Sequence, residues 1–275
     1  KNMSLFNCPV CKNELYKKTD LYRCQNNHCF DISKHGYVNL LQSQKNSTKR
    51  HGDDKVMVNA RKEFLDKGYY YPLLKAIFEI FDKHSKSGMK VLDAGCGECY
   101  YTANICEHLK KNGIEPYFCG VDIAKDALIA ASHRSKSIEL AVASVFDIPV
   151  GDCSFDIILN FFAPVVASEY KRILKNEGIL ICAVPLRFHL WELKSSVYDT
   201  PYENEEGIPL LDGFDIVERK ETKDFIFLES NEDIQNLFKM TPYYYKTSRT
   251  DQAKLQKLDS LKTKIEFGIY VYKKK

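Results

Sequence analysis

Four residues near the start of the chain have the types and spacing of a metal site. Two residues separate the first two cysteines, twelve separate the second from the third, and three separate the third cysteine from a histidine: Cys8, Cys11, Cys24 and His28. Zinc takes four such ligands tetrahedrally, and a complete protein shell leaves no open catalytic position. The spacing predicts one structural zinc ion rather than free thiols, although Cys29 could replace His28 as the fourth ligand.

A second group of residues suits a nucleoside cofactor. Asp93 ends one apolar stretch, Gly95 and Gly97 follow it, and Asp122 ends the next apolar stretch. Glycines after a strand permit a tight turn and close approach of a ligand to the backbone. A dinucleotide site would have a third glycine where Tyr100 stands. Because a carboxylate at Asp93 repels phosphate but suits an ammonium group, the pattern predicts S-adenosylmethionine, with Asp122 at the ribose hydroxyls.

Weaker signals accompany this group. The two glycines alone would be explained by an ordinary strand-to-helix turn, so the prediction depends on the acidic residues in successive elements. Asp147, after a third apolar stretch, is either a further contact near the adenine or a turn cap.

Alternating segments indicate the elements that position these residues. Helical spacing predicts two helices within residues 54–82, broken at 68–72, where Pro72 suits an early helical position. Strands are predicted at 90–94, 117–123, 138–142, 155–160 and 178–184, with helices at 101–112, 125–135 and 166–174. This order predicts an α/β fold with a mostly parallel sheet covered on both faces. Two late strands, 225–228 and 265–272, and a helix near 232–240 suggest an antiparallel edge.

Charge and composition divide the chain. Residues 1–62 hold 12 Lys and Arg against 5 Asp and Glu, a net charge of +7, whereas residues 63–275 hold 28 against 32, a net charge of −4. We predict a zinc-binding, RNA-recognition module at 1–41, closed by a strand at 37–41. A basic linker and the start of a helical segment follow at 42–62, and a methyltransferase domain at 63–275. The basic zinc module and linker would bind RNA phosphates through residues that include Lys45, Lys49, Arg50 and Arg61.

Other classes of protein fit the composition poorly. No run approaches the roughly 20 apolar residues needed to span a bilayer, and the first residues lack the apolar stretch of a secretory signal. The ten cysteines are spread through a long apolar chain, which is typical of reduced thiols. We therefore expect a soluble, cytoplasmic protein that does not bind membranes.

The sequence resembles the bacterial ribosomal RNA guanine-N1 methyltransferases that modify 23S RNA. The resemblance covers nearly the whole length, and its most specific segment is Asp-Ile-Ser-Lys-His-Gly-Tyr-Val-Asn-Leu-Leu at 31–41. Further matching segments lie at 8–11, 52–54, 60–61, 64–72, 95–102, 162–164, 189–194 and 240–242.

The resemblance implies a Rossmann-like class I methyltransferase fold with an N-terminal zinc module. It implies zinc at Cys8, Cys11, Cys24 and His28, which favours His28 over Cys29. It also implies methyl transfer from S-adenosylmethionine to N1 of a guanine in a 23S rRNA hairpin, at position 745 or 748, and dimers occur in the family. Further cofactor contacts are implied at Tyr70, Cys99, Tyr100 and His189. The family commonly has glycine where Cys99 stands, so this residue could crowd the cofactor.

Two questions stay open at this level. Guanine N1 must lose a proton, so a positioned base, or donors that stabilise the resulting negative charge on O6, would help. The candidates are Glu98, Asn160 and His189, among which the sequence does not choose. The target base must also be looped or flipped out, since its N1 is occupied in a base pair. Alternative functions are a small-molecule methyltransferase with an accessory zinc knuckle and an inactive, zinc-dependent RNA-binding protein.

Overall fold

Two sheets organise the chain. The computed structural model describes residues 2–42, 52–205 and 210–275. The small antiparallel sheet has four strands in sequential order: β1 (Asn2–Asn7), β2 (Glu14–Lys17), β3 (Leu21–Cys24) and β4 (Cys29–Asp31). Its turns bring the four predicted metal ligands to one end.

The large sheet carries the predicted cofactor residues. Its strands are β5 (Val38–Asn39), β6 (Lys90–Ala94), β7 (Tyr117–Asp122), β8 (Ile138–Val142), β9 (Phe155–Phe161), β10 (Leu174–Pro185), β11 (Phe214–Leu228) and β12 (Leu261–Lys274). They lie in the order β11-β12-β10-β9-β6-β7-β8-β5, and all pairs from β10 to β5 are parallel. The order reverses at β6, between β9 and β7, which is where open α/β sheets bind ligands beyond the carboxyl ends of their strands.

Helices connect and cover these strands. They are α1 (Lys55–Asp66), α2 (Tyr71–His84), α3 (Tyr100–Lys111), α4 (Lys125–Arg134), α5 (Ala167–Ile173), α6 (Trp191–Val197), α7 (Asn231–Lys239) and α8 (Arg249–Leu255). One apolar core joins α1, α2, α3 and α7 to one face of the large sheet. Within the ranges that the structure describes, no helix combines the length and apolar character needed to cross a membrane.

The small sheet covers part of the opposite face. Phe6, Leu15 and Tyr22 share a buried core with Leu92 and Val121 of the large sheet. One carboxylate in β8 ties the two sheets together: that of Glu139, which accepts hydrogen bonds from Ser4 Oγ (2.6 Å), the Leu5 amide (3.2 Å) and Tyr22 Oη (3.3 Å). The module is therefore packed onto the sheet, and loss of its structure would expose apolar area on both sides.

The structure confirms most of the predicted elements and corrects one. The strand predicted at 37–41 to close the small module is confirmed only in part, because Val38 forms an antiparallel bridge with Ile32 while Val38–Asn39 pairs in parallel with β8 as an edge of the large sheet. The late antiparallel edge is confirmed, but β11 begins 11 residues before the predicted 225. Residues 218–224 of this strand are all charged or polar, as is common in an exposed edge strand, so it lacks the apolar run expected of a buried strand.

Candidate metal and cofactor sites

The four predicted metal ligands converge. Their sulfur and nitrogen ligand atoms all lie within 4.8 Å of one another. His28 Nδ1 lies 3.5 Å from Cys8 Sγ and 3.4 Å from Cys24 Sγ, and Cys11 Sγ lies 3.7 Å from Cys24 Sγ. Cys29 is exposed, with its thiol 3.5 Å from the Asn27 carbonyl oxygen. The geometry thus brings together the set with His28 and leaves Cys29 outside it.

Two tight turns form this cluster. Lys12 and Asn27 adopt left-handed backbone conformations, with φ of 61° and 63°. Their amides donate to the carbonyl oxygens of Cys8 (2.8 Å) and Cys24 (3.1 Å), which turns each cysteine back toward the centre. Three thiols and one imidazole fit a tetrahedral zinc ion with no open position.

The glycine loop between β6 and α3 is held against the end of β7. The amides of Gly95 and Cys96 both donate to the Val121 carbonyl oxygen, at 2.9 and 3.0 Å. Gly95 has φ of +87°, and a Cβ atom there would come within 2.6 Å of the Ala163 Cβ. Glycine is therefore required here by both backbone conformation and space.

Replacing Gly95 by alanine is expected to lower the free energy of unfolding by about 2–4 kcal/mol, because strain at positive φ and a steric clash add together. Gly113→Ala is the matched control, since Gly113 has φ of +76° but nothing within 4 Å of a built Cβ. It should lose about 1 kcal/mol. Urea unfolding of both variants measures the difference. Equal losses would mean that the loop moves aside and that the close approach of Ala163 is unimportant.

Asp93 is buried with one oxygen unpaired. Its Oδ2 accepts a short hydrogen bond from Thr102 Oγ1, whereas Oδ1 is buried without a hydrogen-bond partner among the described residues. Burial, with the neighbouring Asp122 carboxylate adding to it, raises the pKa of Asp93 to about 7. Such an unsatisfied carboxylate oxygen fits a ligand that brings a positively charged donor.

Asp122 shapes the same loop from the next strand. Its Oδ2 accepts from the Gly97 amide (2.9 Å) and its Oδ1 from the Ala124 amide (2.8 Å). Burial raises the pKa of this carboxyl group above its ordinary value. Each oxygen retains a second lone pair, so the carboxylate can still accept from ribose hydroxyls.

Cys99 ends the loop in a left-handed conformation, with φ of 61° and ψ of 28°, directly before α3. A residue with a Cβ atom is strained at positive φ, which explains why glycine is common at this position in the family that the sequence resembles. Tyr100 follows in the first turn of α3, with its ring 5.1 Å from that of Tyr101 and 5.4 Å from the Arg134 guanidinium carbon.

Tyr70 and His189 meet although they are far apart in the sequence. Tyr70 Oη lies 3.2 Å from His189 Nε2, and His189 Nδ1 accepts from the Glu266 amide at 3.1 Å. Burial lowers the pKa of His189 to about 3, so the ring is neutral. Because Nδ1 must be the acceptor, the proton is on Nε2 and donates to Tyr70. The Tyr70 hydroxyl proton is then directed toward a further acceptor.

Aromatic contacts link this pair to the glycine loop. Ring centroids are 4.9 Å apart for Tyr70 and Phe267, 5.7 Å for Phe267 and Phe162, and 6.4 Å for Phe162 and Tyr101. Phe162 has φ of 60° and is 47% exposed, so it presents its ring at the carboxyl edge. Phe267 and the carboxylate partner Thr102 were not predicted as site residues. Nothing local in the sequence marks Phe267, because its contacts cross the sheet.

Each of the three candidates for a base or a donor already makes contacts in this arrangement. Glu98 is 2% exposed and pairs closely with Arg134 through Oε2, whereas its Oε1 is buried without a hydrogen-bond partner among the described residues. Asn160 donates its amide protons to the Pro164 carbonyl oxygen and to Tyr170 Oη. His189 uses both ring nitrogens, as described above.

The predicted phosphate-binding residues are only partly described. Lys45, Lys49 and Arg50 lie outside the described residues. Arg61 forms an ion pair with Asp53 (2.5 Å) and approaches the glycine loop, where its Nη1 would lie 3.6 Å from a Cβ built on Gly97. Arg61 therefore faces the cofactor loop. Asp147 is exposed and lies 3.5 Å from Lys12 Nζ, so it pairs with the small module.

Family models match both parts of the chain. Residues 6–49 match the zinc-ribbon family described as RlmA, N-terminal, and residues 85–241 match a methyltransferase domain family. The first match contains all four metal ligands. The second contains the glycine loop and both acidic strand ends, together with His189.

Two relatives and one solved structure illustrate the similarity. YxjB of Bacillus subtilis (strain 168), assigned as a 23S rRNA (guanine-N1)-methyltransferase, is 30% identical over 98% of this chain and 97% of its own length. The 23S rRNA (guanine(748)-N1)-methyltransferase of Streptomyces fradiae is 34% identical over 68% of this chain and 65% of its own. The YcgJ protein of Bacillus subtilis covers 74% of this chain and 97% of its own at 13% identity, with a TM-score of 0.48.

Proposed function

Because the chain belongs to the 23S rRNA (guanine-N1)-methyltransferase family, we propose that it transfers a methyl group from S-adenosylmethionine to N1 of a guanine in a 23S rRNA hairpin. The observation that carries the proposal is the unpaired, buried Asp93 oxygen beside a glycine loop at the switch point of the sheet. Similarity to the guanine-748 enzyme supports that position, and position 745 is the alternative.

The cofactor would lie across the carboxyl ends of β6 and β7. Asp93 would face the ammonium group of the cofactor and Asp122 its ribose hydroxyls. Gly95 and Gly97, which lack side chains, would let the cofactor approach the backbone closely. Four further contacts, all buried at this edge, are proposed at Tyr70, Cys99, Tyr100 and His189. The bound cofactor supplies an electrophilic methyl group.

The small module would hold one zinc ion through Cys8, Cys11, Cys24 and His28. Its role is structural, since the donor set is complete. The net charge of +7 over residues 1–62 supports contact with RNA phosphates on that side. A homodimer and a cytoplasmic location remain predictions.

Catalysis would come mainly from positioning. Methyl transfer from a sulfonium is an in-line displacement, so holding the two reactants in place and excluding water supplies much of the rate. Burial raises the pKa of Tyr70 far above its ordinary value, which keeps its hydroxyl protonated as a donor. With His189 Nε2 donating to Tyr70, that hydroxyl could stabilise negative charge on the guanine as N1 loses its proton.

The test is methylation of 23S rRNA that lacks this modification. Incubation with the protein and labelled S-adenosylmethionine, followed by mass mapping of RNA fragments, should yield N1-methylguanine at a single hairpin position. RNA already carrying the modification is the control and should take up no label. Binding of the cofactor without methylation of any rRNA would overturn the proposal and favour a small-molecule substrate.

A further inference from the structure

A two-stranded ribbon projects from the sheet at the same edge as the proposed cofactor site. The last residue of β10, Pro185, pairs with Phe267, whereas β11 and β12 continue to pair for six further residue pairs, up to Leu228 and Leu261. At about 3.4 Å per residue, the ribbon extends roughly 20 Å beyond β10. Because β10 is parallel to β9 and β6, this extension stands at their carboxyl edge.

The outer face of this ribbon combines exposed aromatic rings with lysines. Phe225 is 49% exposed and Phe227 is 55% exposed, and they pair directly with Lys264 and Lys262. Directly paired residues of antiparallel strands lie on the same face. The residues between them, such as Ile226 and Ile265, are buried on the other face. We call the outer face the ribbon strip, formed by Phe188, Phe225, Phe227, Lys262 and Lys264.

The ribbon strip is continuous with the site. Lys264 Nζ lies 5.5 Å from the Phe188 ring centroid, and Lys262 Nζ lies 4.8 Å from that of Phe225. Phe188 directly precedes His189, whose Nδ1 accepts from the amide of Glu266 in β12. Lys264 also approaches Glu192 at 3.8 Å, while no ion pair of Lys262 is seen in the described parts of the chain.

We propose that the ribbon strip binds single-stranded nucleotides that flank the target guanine, by stacking bases on Phe225 and Phe227 and placing phosphates at Lys262 and Lys264. This inference rests on the proposed function and adds an RNA contact outside the basic amino-terminal region. Exposed rings offer stacking surfaces to any base, and alternate strand residues stand about 7 Å apart on one face. Lysines beside them provide the matching charge.

A second copy of the chain is the competing occupant, since β11 is the last strand at its edge of the sheet. Charge argues against it. A twofold contact would bring the same patch of two molecules together and place Lys262 and Lys264 near their own counterparts. The charge pattern therefore favours a polyanion.

The test measures the affinity of the full-length protein for a synthetic RNA hairpin whose loop contains the target guanine, by fluorescence anisotropy. The double variant Phe225→Ala/Phe227→Ala should bind the hairpin at least about tenfold more weakly, with little change for a blunt RNA duplex. Lys262→Gln should reduce the slope of log affinity against log salt concentration by about 1, the amount expected for the loss of one phosphate contact. The matched control is Tyr117→Ala. Tyr117 is 59% exposed at the start of β7, where the parallel strands have their amino ends, so this variant should bind the hairpin as the wild type does.

Three measurements separate the outcomes. Unchanged hairpin affinity of the double variant would overturn the inference. So would a wild-type dimer that the double variant converts to a monomer in sedimentation, with equal RNA affinity per chain. Cofactor binding, measured by calorimetry, should be the same in all variants. If the wild type binds the hairpin through the strip but methylates no guanine, the proposed function fails while the strip as an RNA contact stands.

Discussion

Replacing Asp93 by asparagine is expected to weaken S-adenosylmethionine binding by about 100-fold, because the cofactor's ammonium group would lose a buried charged partner. Asparagine keeps the shape and can still accept the hydrogen bond from Thr102 Oγ1. Calorimetric titration measures the change. The control is Asp259→Asn, an exposed aspartate that should bind the cofactor normally. Affinity within threefold of wild type would show that Asp93 does not face the cofactor.

The same substitution should stabilise the cofactor-free protein. The folded-state pKa of Asp93 is raised from 3.8 to about 7, so the folded state holds this proton more tightly than the unfolded state does. Stability therefore falls as the pH rises from about 4 to 7, by up to about 4 kcal/mol, and stays lower above that range. Asparagine resembles the protonated carboxyl group and does not ionise, so the variant should not lose stability as the pH rises. Urea unfolding should show a gain for Asp93→Asn at both pH 5 and pH 8, and the gain should be larger at pH 8 by about 2–3 kcal/mol.

Cofactor binding should also depend on pH. Pairing with an ammonium group requires the ionised carboxylate, so binding below pH 7 releases a proton and affinity falls about tenfold per pH unit. In Asp93→Asn this dependence should disappear. A wild-type affinity that is flat between pH 5.5 and 7 would contradict the raised pKa.

Loss of zinc is expected to have the largest effect on structure. Cys24→Ser should leave the protein without bound zinc and unfold residues 2–42, because a module of this size buries too little apolar area to be stable alone. Zinc contributes about 10–16 kcal/mol to the folding of comparable zinc-finger peptides at neutral pH. Elemental analysis should find near one zinc per chain in the wild type and none in the variant. Hydrogen exchange should show unprotected amides in β1 to β4.

Cys29→Ser is the matched control for this experiment. Cys29 neighbours His28 in the sequence but is exposed and points away from the cluster. The variant should retain zinc and its melting temperature. Full zinc in Cys24→Ser, or loss of zinc in Cys29→Ser, would mean that the ligand set is different. Because Phe6 and Tyr22 share a core with the large sheet, the melting temperature of the whole chain should fall when zinc is lost.

Prediction from sequence succeeded where the signal was local. The four metal ligands lie within 21 residues, and the paired spacing allows little else than a closed metal site. The strand, glycine loop and helix around Gly95 also form one continuous segment. Its conformation at Gly95 and Cys99 follows from backbone sterics, which act between neighbouring residues.

Contacts between segments that are distant in the sequence were predicted less well. Asp93 and Asp122 could be placed at one edge by the rule that parallel strands end together, but the orphaned Asp93 oxygen could not. The tautomer of His189 depends on an amide 77 residues away. The parallel pairing of Val38–Asn39 with β8 was not predicted, because two residues carry too little pattern to specify a second partner beside the small module.

The amino-acid sequence alone therefore determined the three metal-binding cysteines, the α/β order of elements and the class of cofactor, since each depends on short segments of the chain. The choice of His28 over Cys29 needed the family resemblance and the geometry of the cluster. The tertiary structure alone decided the raised pKa of Asp93, the lowered pKa of His189, the pairing of Tyr70 with His189 and the position of the ribbon strip at the cofactor edge. These depend on burial and on register between strands. Both are set by how the whole chain packs, which local spacing does not encode.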